Sequence, residues 1–179
     1  PGLTGNRSRS GVGSAAAGID RPDLVPGTKF ADVTAGASRG CGDPNIRDAN
    51  GRTVGKVVAA GTKLGTPELY YDPCAFTVPN VGFLGTAGRT ILRGPGFANV
   101  DFSLVKDSNF KYLGEAGKLQ FRAEFFNLLN HANFGLANRT VYAASPATTT
   151  AENPLATSGT ITTTIGTSRQ VQLALKLLF

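Results

Sequence analysis

No apolar run in the chain approaches the ~18 residues that a membrane-spanning helix requires, so none is encoded. Tryptophan and methionine are absent, and charged residues make up only 17%, below the ~25% usual in soluble domains. This is not the composition of a compact enzyme. His131 is the only histidine, and it stands between Asn130 and Asn133 at the end of an alternating run. A turn or capping role suits it better than catalysis. Glu124 has no acidic companion in its own segment, so a paired-carboxylate site lacks support. No enzyme activity, cofactor or metal is expected. There is no signal peptide, and Pro1 is not a translation start. The chain is therefore expected to be a piece of something longer, with its targeting information upstream.

Glycine (23) and proline (10) are plentiful, and the net charge is +6 with a pI near 9.6. The basic residues are scattered and form no stripe, so nucleic acid is not an expected partner. Cys41 and Cys74, 33 positions apart, match no zinc spacing. Two unpaired thiols are the plain reading. The loop-like flanks GCGDPN and YDPCAF favour a disulfide formed in an oxidising compartment.

Residues 1–95 read as a loop-rich region with short strands. GVGSAAAG, residues 11–18, lacks the glycine spacing and the flanking pattern of a phosphate loop, and reads as flexible chain. A short strand is expected around Val54 to Ala59. Tyr70, Tyr71 and Phe76 fit a ligand platform, an aromatic girdle or the packing of the loop itself, and the sequence does not rank these. Gly94, Pro95 and Gly96 predict a turn.

From Ala98 the pattern becomes period two, the signature of strands. Strands are expected at about 98–107, 118–129 and 169–179. The first two form an antiparallel hairpin through a polar turn at 111–118, and a long polar loop, 131–168, leads to the third. A helix competes over KLQFRAEFFNLLNHANF; alternation and aromatic content favour the strand. Leu119, Phe121, Ala123 and Phe125 point one way, and Gln120, Arg122, Glu124 and Phe126 the other. In the terminal RQVQLALKLLF, Val171, Leu173, Leu175, Leu177 and Phe179 oppose Gln170, Gln172, Ala174, Lys176 and Leu178, a set mostly polar or small.

A soluble sandwich could bury the apolar set, but three clear strands are too few for a convincing core. A membrane barrel accounts for more. An eleven-residue strand at ~3.3 Å per residue, tilted ~45°, rises ~25 Å, the height of the apolar band of such barrels. Short turns at one end and long loops at the other also fit. The fold expected is all-β: the last antiparallel strands of a transmembrane β-barrel with long extracellular loops, closed by strands outside this chain. Gln120, Arg122, Glu124, Gln172 and Lys176 would then face the lumen. There they either contact substrate and plug or simply pair with one another and with water.

The stretches YYDPCAFTVPNVGFLGTAGRTILRGPGFANVDFSLVK, LQFRAEFFNLLNHANFG and RQVQLALKLLF resemble the C-terminal end of TonB-dependent receptor-like outer-membrane proteins. The likeness is to the Oar-like type, which carries a carboxypeptidase-regulatory-like domain, and it runs from about Leu69 to Phe179. It implies a barrel of about 22 strands around a plug, driven through TonB by segments upstream of this chain. It also implies a terminal signal for the barrel-assembly machinery, met here by Leu175, Leu177 and Phe179. The partners expected are outer-membrane lipid, that machinery, and the remainder of the barrel and plug. The function implied is ligand uptake across the outer membrane, the segment alone not being transport-competent. The alternatives are a structural or adhesive surface protein on the same barrel and a soluble carbohydrate-binding β-domain.

Overall fold

The computed structural model describes residues 2–3, 21–80, 83–109, 112, 117–143 and 152–178. GVGSAAAG, most of the 111–118 turn, and Phe179 lie outside the described residues. Among the described residues the elements are β-strands and two short 3-10 turns, Phe30–Val33 and Pro73–Ala75. Its strands are β1 (Gly2–Leu3), β2 (Asp23–Leu24), β3 (Phe76–Thr77), β4 (Phe102–Asn109), β5 (Lys118–Phe126), β6 (Thr140–Tyr142) and β7 (Gln170–Leu178). Among the described residues no helix is long and apolar enough to cross a membrane. Two compact units form: residues 1–94 with 136–162, and residues 95–135 with 163–179.

The second unit is a three-stranded antiparallel sheet in the order β4-β5-β7. Each strand starts or ends within a few residues of its expected position, and the helix alternative over 118–126 is not adopted. Phe, Val and Leu at every second position suit a pleated surface, on which successive side chains alternate in direction. β4 begins at Phe102 instead of residue 98, because residues 94–101 carry no regular structure and no turn forms at Gly94–Gly96. β5 stops at Phe126 because Asn127 and Asn130 take the left-handed conformation, with φ of 49° and 50°, which asparagine tolerates better than most residues.

The first unit differs most from expectation. Val54–Ala59 is not a strand; only isolated bridges form there, Arg47 with Thr53 and Cys41 with Val58. The stretch 131–168 is not one polar loop, since β6 pairs with β1 in parallel and residues 136–162 belong to the first unit. Val141 and Tyr142 join Val33, Tyr71, Ala75, Phe76 and Ala87 in a buried cluster. A second cluster gathers Val58, Leu64, Leu69 and Cys74.

Long-range polar bonds connect these short pieces. The Asn153 carboxamide accepts from Asp43 N–H at 2.7 Å and donates to the carbonyls of Asp43 and Val54. The Tyr142 hydroxyl donates to the Phe76 carbonyl at 2.6 Å. Such bonds substitute for the ladders that the segment lacks, so buried backbone groups still find partners.

Cys41 and Cys74 are bonded, with Cα atoms 5.3 Å apart. Local sequence prepares both ends. In DPC, Asp72 caps the 3-10 turn Pro73–Ala75 and accepts from Cys74 N–H, with proline at the first position of the turn. The same buried carboxylate accepts from the Ser38 hydroxyl at 2.7 Å and from Arg39 N–H at 3.1 Å, which fixes the arm leading to Cys41. Gly40 and Gly42 flank that cysteine with φ of 82° and 97°. A Cβ on Gly40 would lie 2.6 Å from Ala60 N, and one on Gly42 2.7 Å from the Lys56 carbonyl, so glycine is required at both positions.

Candidate functional site

Register decides which side chains share a face. β4 pairs with β5 as Phe102↔Phe125, Leu104↔Ala123, Lys106↔Phe121 and Ser108↔Leu119. β5 pairs with β7 as Phe125↔Val171, Ala123↔Leu173, Phe121↔Leu175 and Leu119↔Leu177. Four rows therefore make one face, apolar except for Lys106 and Ser108 on β4. In the sequence the apolar alternation of Val100, Phe102 and Leu104 ends at Leu104, and Lys106 and Ser108 follow in the same phase.

Among the described residues nothing covers this face. Leu173 and Leu175 are each 67% exposed, and Leu104 is 52% exposed. Phe102 and Phe125 pack with ring centroids 6.1 Å apart. An apolar surface this continuous is far larger than the scattered exposed leucines of an ordinary soluble domain.

The opposite face holds all five of the polar candidates. Gln120 lies between Asp107 and Lys176, and Glu124 between Ser103 and Gln172. Gln120 Nε2 donates to Asp107 Oδ1 at 2.9 Å. Arg122 and Glu124, two apart on β5, come within 3.6 Å; this solvated ion pair contributes at most about 1 kcal/mol. The sheet brings these groups into cross-strand rows, which the sequence could not do without the register. Asp107 is the member that sequence reading missed. Its position two residues beyond Val105, in phase with Ser103, was the available signal.

At the end of the sheet away from the 109–118 connection, a knot of amides stabilises the chain as it leaves β5. Asn127 Oδ1 accepts from His131 N–H, and Nδ2 donates to the carbonyls of His131 and Thr167. The His131 ring nitrogen Nδ1 lies 3.2 Å from Asn133 Oδ1. Asn133 also accepts from Ala98 N–H and donates to its carbonyl. His131 thus sits in a turn network. Among the described residues no group of three or more histidine, cysteine, aspartate or glutamate side chains is placed to hold a metal.

In the first unit, Tyr71 and Phe76 are buried and meet edge to face at 6.2 Å. Of the three earlier readings for these aromatics, packing of the loop itself describes them; only Tyr70 is partly exposed. Burial pushes the Tyr71 hydroxyl up to about 12, despite the opposing hydrogen bonds from the Ser158 hydroxyl and the Gly159 backbone; the hydroxyl also donates to the Asn138 carbonyl at 2.9 Å. Tyr142 is also raised to about 12, by burial first and then by the charges of Glu152 and Asp72. The Lys56 ammonium donates to the carbonyls of Glu68 and Ser158, and burial lowers its pKa.

An antiparallel sheet of eight- and nine-residue strands, uncovered on an apolar face and mostly polar on the other, where Val105, Ala174, Phe126 and Leu178 are the exceptions, defines the wall of an outer-membrane β-barrel. Residues 4–172 match the family described as outer membrane beta barrel domain, and the chain belongs to that family. It is accordingly a protein of the bacterial outer membrane. A search of curated proteins and a search of solved structures each return no match.

Proposed function

We propose that the chain supplies closing strands of a TonB-dependent receptor-like barrel that takes up a ligand across the outer membrane. The observation that carries this reading is the segregation of the two faces of β4, β5 and β7 by register. In this reading lipid covers the Leu173–Leu175 face, and water fills the space against Gln120, Arg122, Glu124, Gln172 and Lys176. Nine-residue strands match the ~9–11 residues needed to cross a bilayer obliquely. Lys106, in the third apolar row, is three residues from the end of its strand, within the reach over which long cationic side chains bring their charge to the interface. Both outer edges of the sheet need partner strands, because unpaired amides in hydrocarbon cost several kcal/mol each.

The resemblance to Oar-like receptors supports the finer assignment and adds an upstream plug, a TonB box and a carboxypeptidase-regulatory-like domain. The terminal Leu175-Leu177-Phe179 pattern is the signal offered to the barrel-assembly machinery. The first unit belongs to the extracellular loops, where an oxidising environment preserves its disulfide. Catalysis has no part in this reading.

The test is made on the whole gene product. It is expected to carry a plug and a TonB box upstream of Pro1, and to crosslink to TonB in cells. A surface-exposed gene product without those two elements and without the crosslink would be a structural or adhesive protein on the same barrel.

A further inference from the structure

Beside the amide knot the second unit holds a half-open cleft of about 220 Å³. Phe97, Asn99, Asp101, Phe126 and Gln170 line it, over a floor that includes Asn127 and Asn133. Phe126 and Gln170 are register partners in phase with Glu124 and Gln172, so the cleft continues the polar face at its margin.

We propose that this cleft is a binding subsite for a neutral sugar ring, an inference that rests on the polar face being the aqueous side of the barrel. The floor amides are spent on backbone partners and are buried, Asn127 at 7% and Asn133 at 5% exposure. Above them, Asp101 is already oriented. Its Oδ1 accepts from Asn99 Nδ2 and from Asn127 N–H, both at 2.9 Å. Its other oxygen and the Gln170 carboxamide make no bond among the described residues, so both are available to a ligand. A carboxylate oxygen accepts strongly from a hydroxyl, and a primary amide both donates and accepts. Neighbouring hydroxyls on a pyranose need that combination. The C–H face of the ring carries slight positive charge and suits the negative face of an aromatic ring; Phe97 is 64% exposed at the cleft.

Other ligand classes fit less well. Asp101 is the sole ionisable group in the lining, so an anion meets a negative charge with no cation to offset it. Calcium takes about 6–8 oxygen ligands, with carboxylates prominent among them, and one carboxylate is a poor start. An alkyl chain would strip water from the amides without replacing its hydrogen bonds. The volume is below the ~300–1,000 Å³ of drug-sized pockets, which fits a single ring.

The experiment uses the complete barrel in lipid nanodiscs and saturation-transfer NMR with methyl glycosides of glucose, galactose and mannose. Transfer to the ring C–H protons of at least one glycoside is expected. Affinity is expected to fall at least about tenfold in both Phe97→Ala and Gln170→Ala. Neither side chain makes a hydrogen bond among the described residues, so assembly should persist. No transfer from any of the three glycosides overturns the proposal, as does binding that both variants retain in full. Failure to bind sugar while lipid-attached quenchers still reach Leu173 and Leu175 removes the subsite and leaves the barrel reading intact.

Discussion

Leu175 stands directly across the β5–β7 ladder from Phe121, and the two form the third row of the apolar face with Lys106. An arginine in place of Leu175 would add a second cation to that row. We expect Leu175→Arg to cost ~2–4 kcal/mol if the row lies near the bilayer midplane, less toward the interface, and to reduce outer-membrane levels. Ala174→Arg, one residue away on the polar face, should assemble normally. Quantitative heat-modifiability gels of membrane fractions separate the two outcomes.

Removing the disulfide should loosen the first unit while sparing the sheet. Bonding Cys41 to Cys74 closes a 33-residue separation, which on the loop-entropy account is worth about 3–4 kcal/mol. Cys41→Ser with Cys74→Ser is expected to raise protease susceptibility within residues 21–80 and leave strand assembly unchanged. Limited proteolysis read by mass spectrometry checks this.

Asp72 holds together the segments that approach the disulfide from both sides. Asp72→Ala would leave the Ser38 hydroxyl and the amides of Arg39 and Cys74 without an acceptor. Bonds to a charged group contribute ~1.5–3 kcal/mol each, not additively, so a loss of about 3 kcal/mol or more is expected from denaturant unfolding of the first unit. Asp72→Asn, which retains one carbonyl acceptor, should lose less.

The contrast between the units explains what the sequence disclosed. Period-two alternation is a local property, so the strands around Phe102, Phe121 and Leu173 and their two faces were legible residue by residue. The long-range register that sets Asp107 beside Gln120 was not. In the first unit no period exists to be read. Its order comes from side chains bonding to distant backbone, such as Asn153 to Asp43 across 110 positions and Tyr142 to Phe76 across 66. A Thr- and Ala-rich stretch such as 136–162 therefore resembles solvated loop until those partners are known.

Alkaline titration should distinguish the buried tyrosines. Tyr71 and Tyr142 have folded values raised to about 12 from the ordinary tyrosine value of 10.0. The unfolded chain then binds fewer protons between those values, so stability is constant below pH ~10 and falls as pH rises toward ~12. At ~1.4 kcal/mol per pKa unit, each tyrosine withdraws up to about 2–3 kcal/mol. Absorbance at the tyrosinate band should show Tyr71 and Tyr142 ionising late, together with loss of the first unit's structure.

The most direct test of the two-faced sheet is depth-dependent fluorescence quenching by nitroxide lipids in the assembled barrel. No free cysteine exists among the described residues, so single cysteines can be labelled in turn at Gln172, Leu173, Leu175, Lys176 and Leu177. Strong quenching at 173, 175 and 177, with little at 172 and 176, is the predicted result. Equal quenching at all five positions, or none at the three leucines, would contradict it.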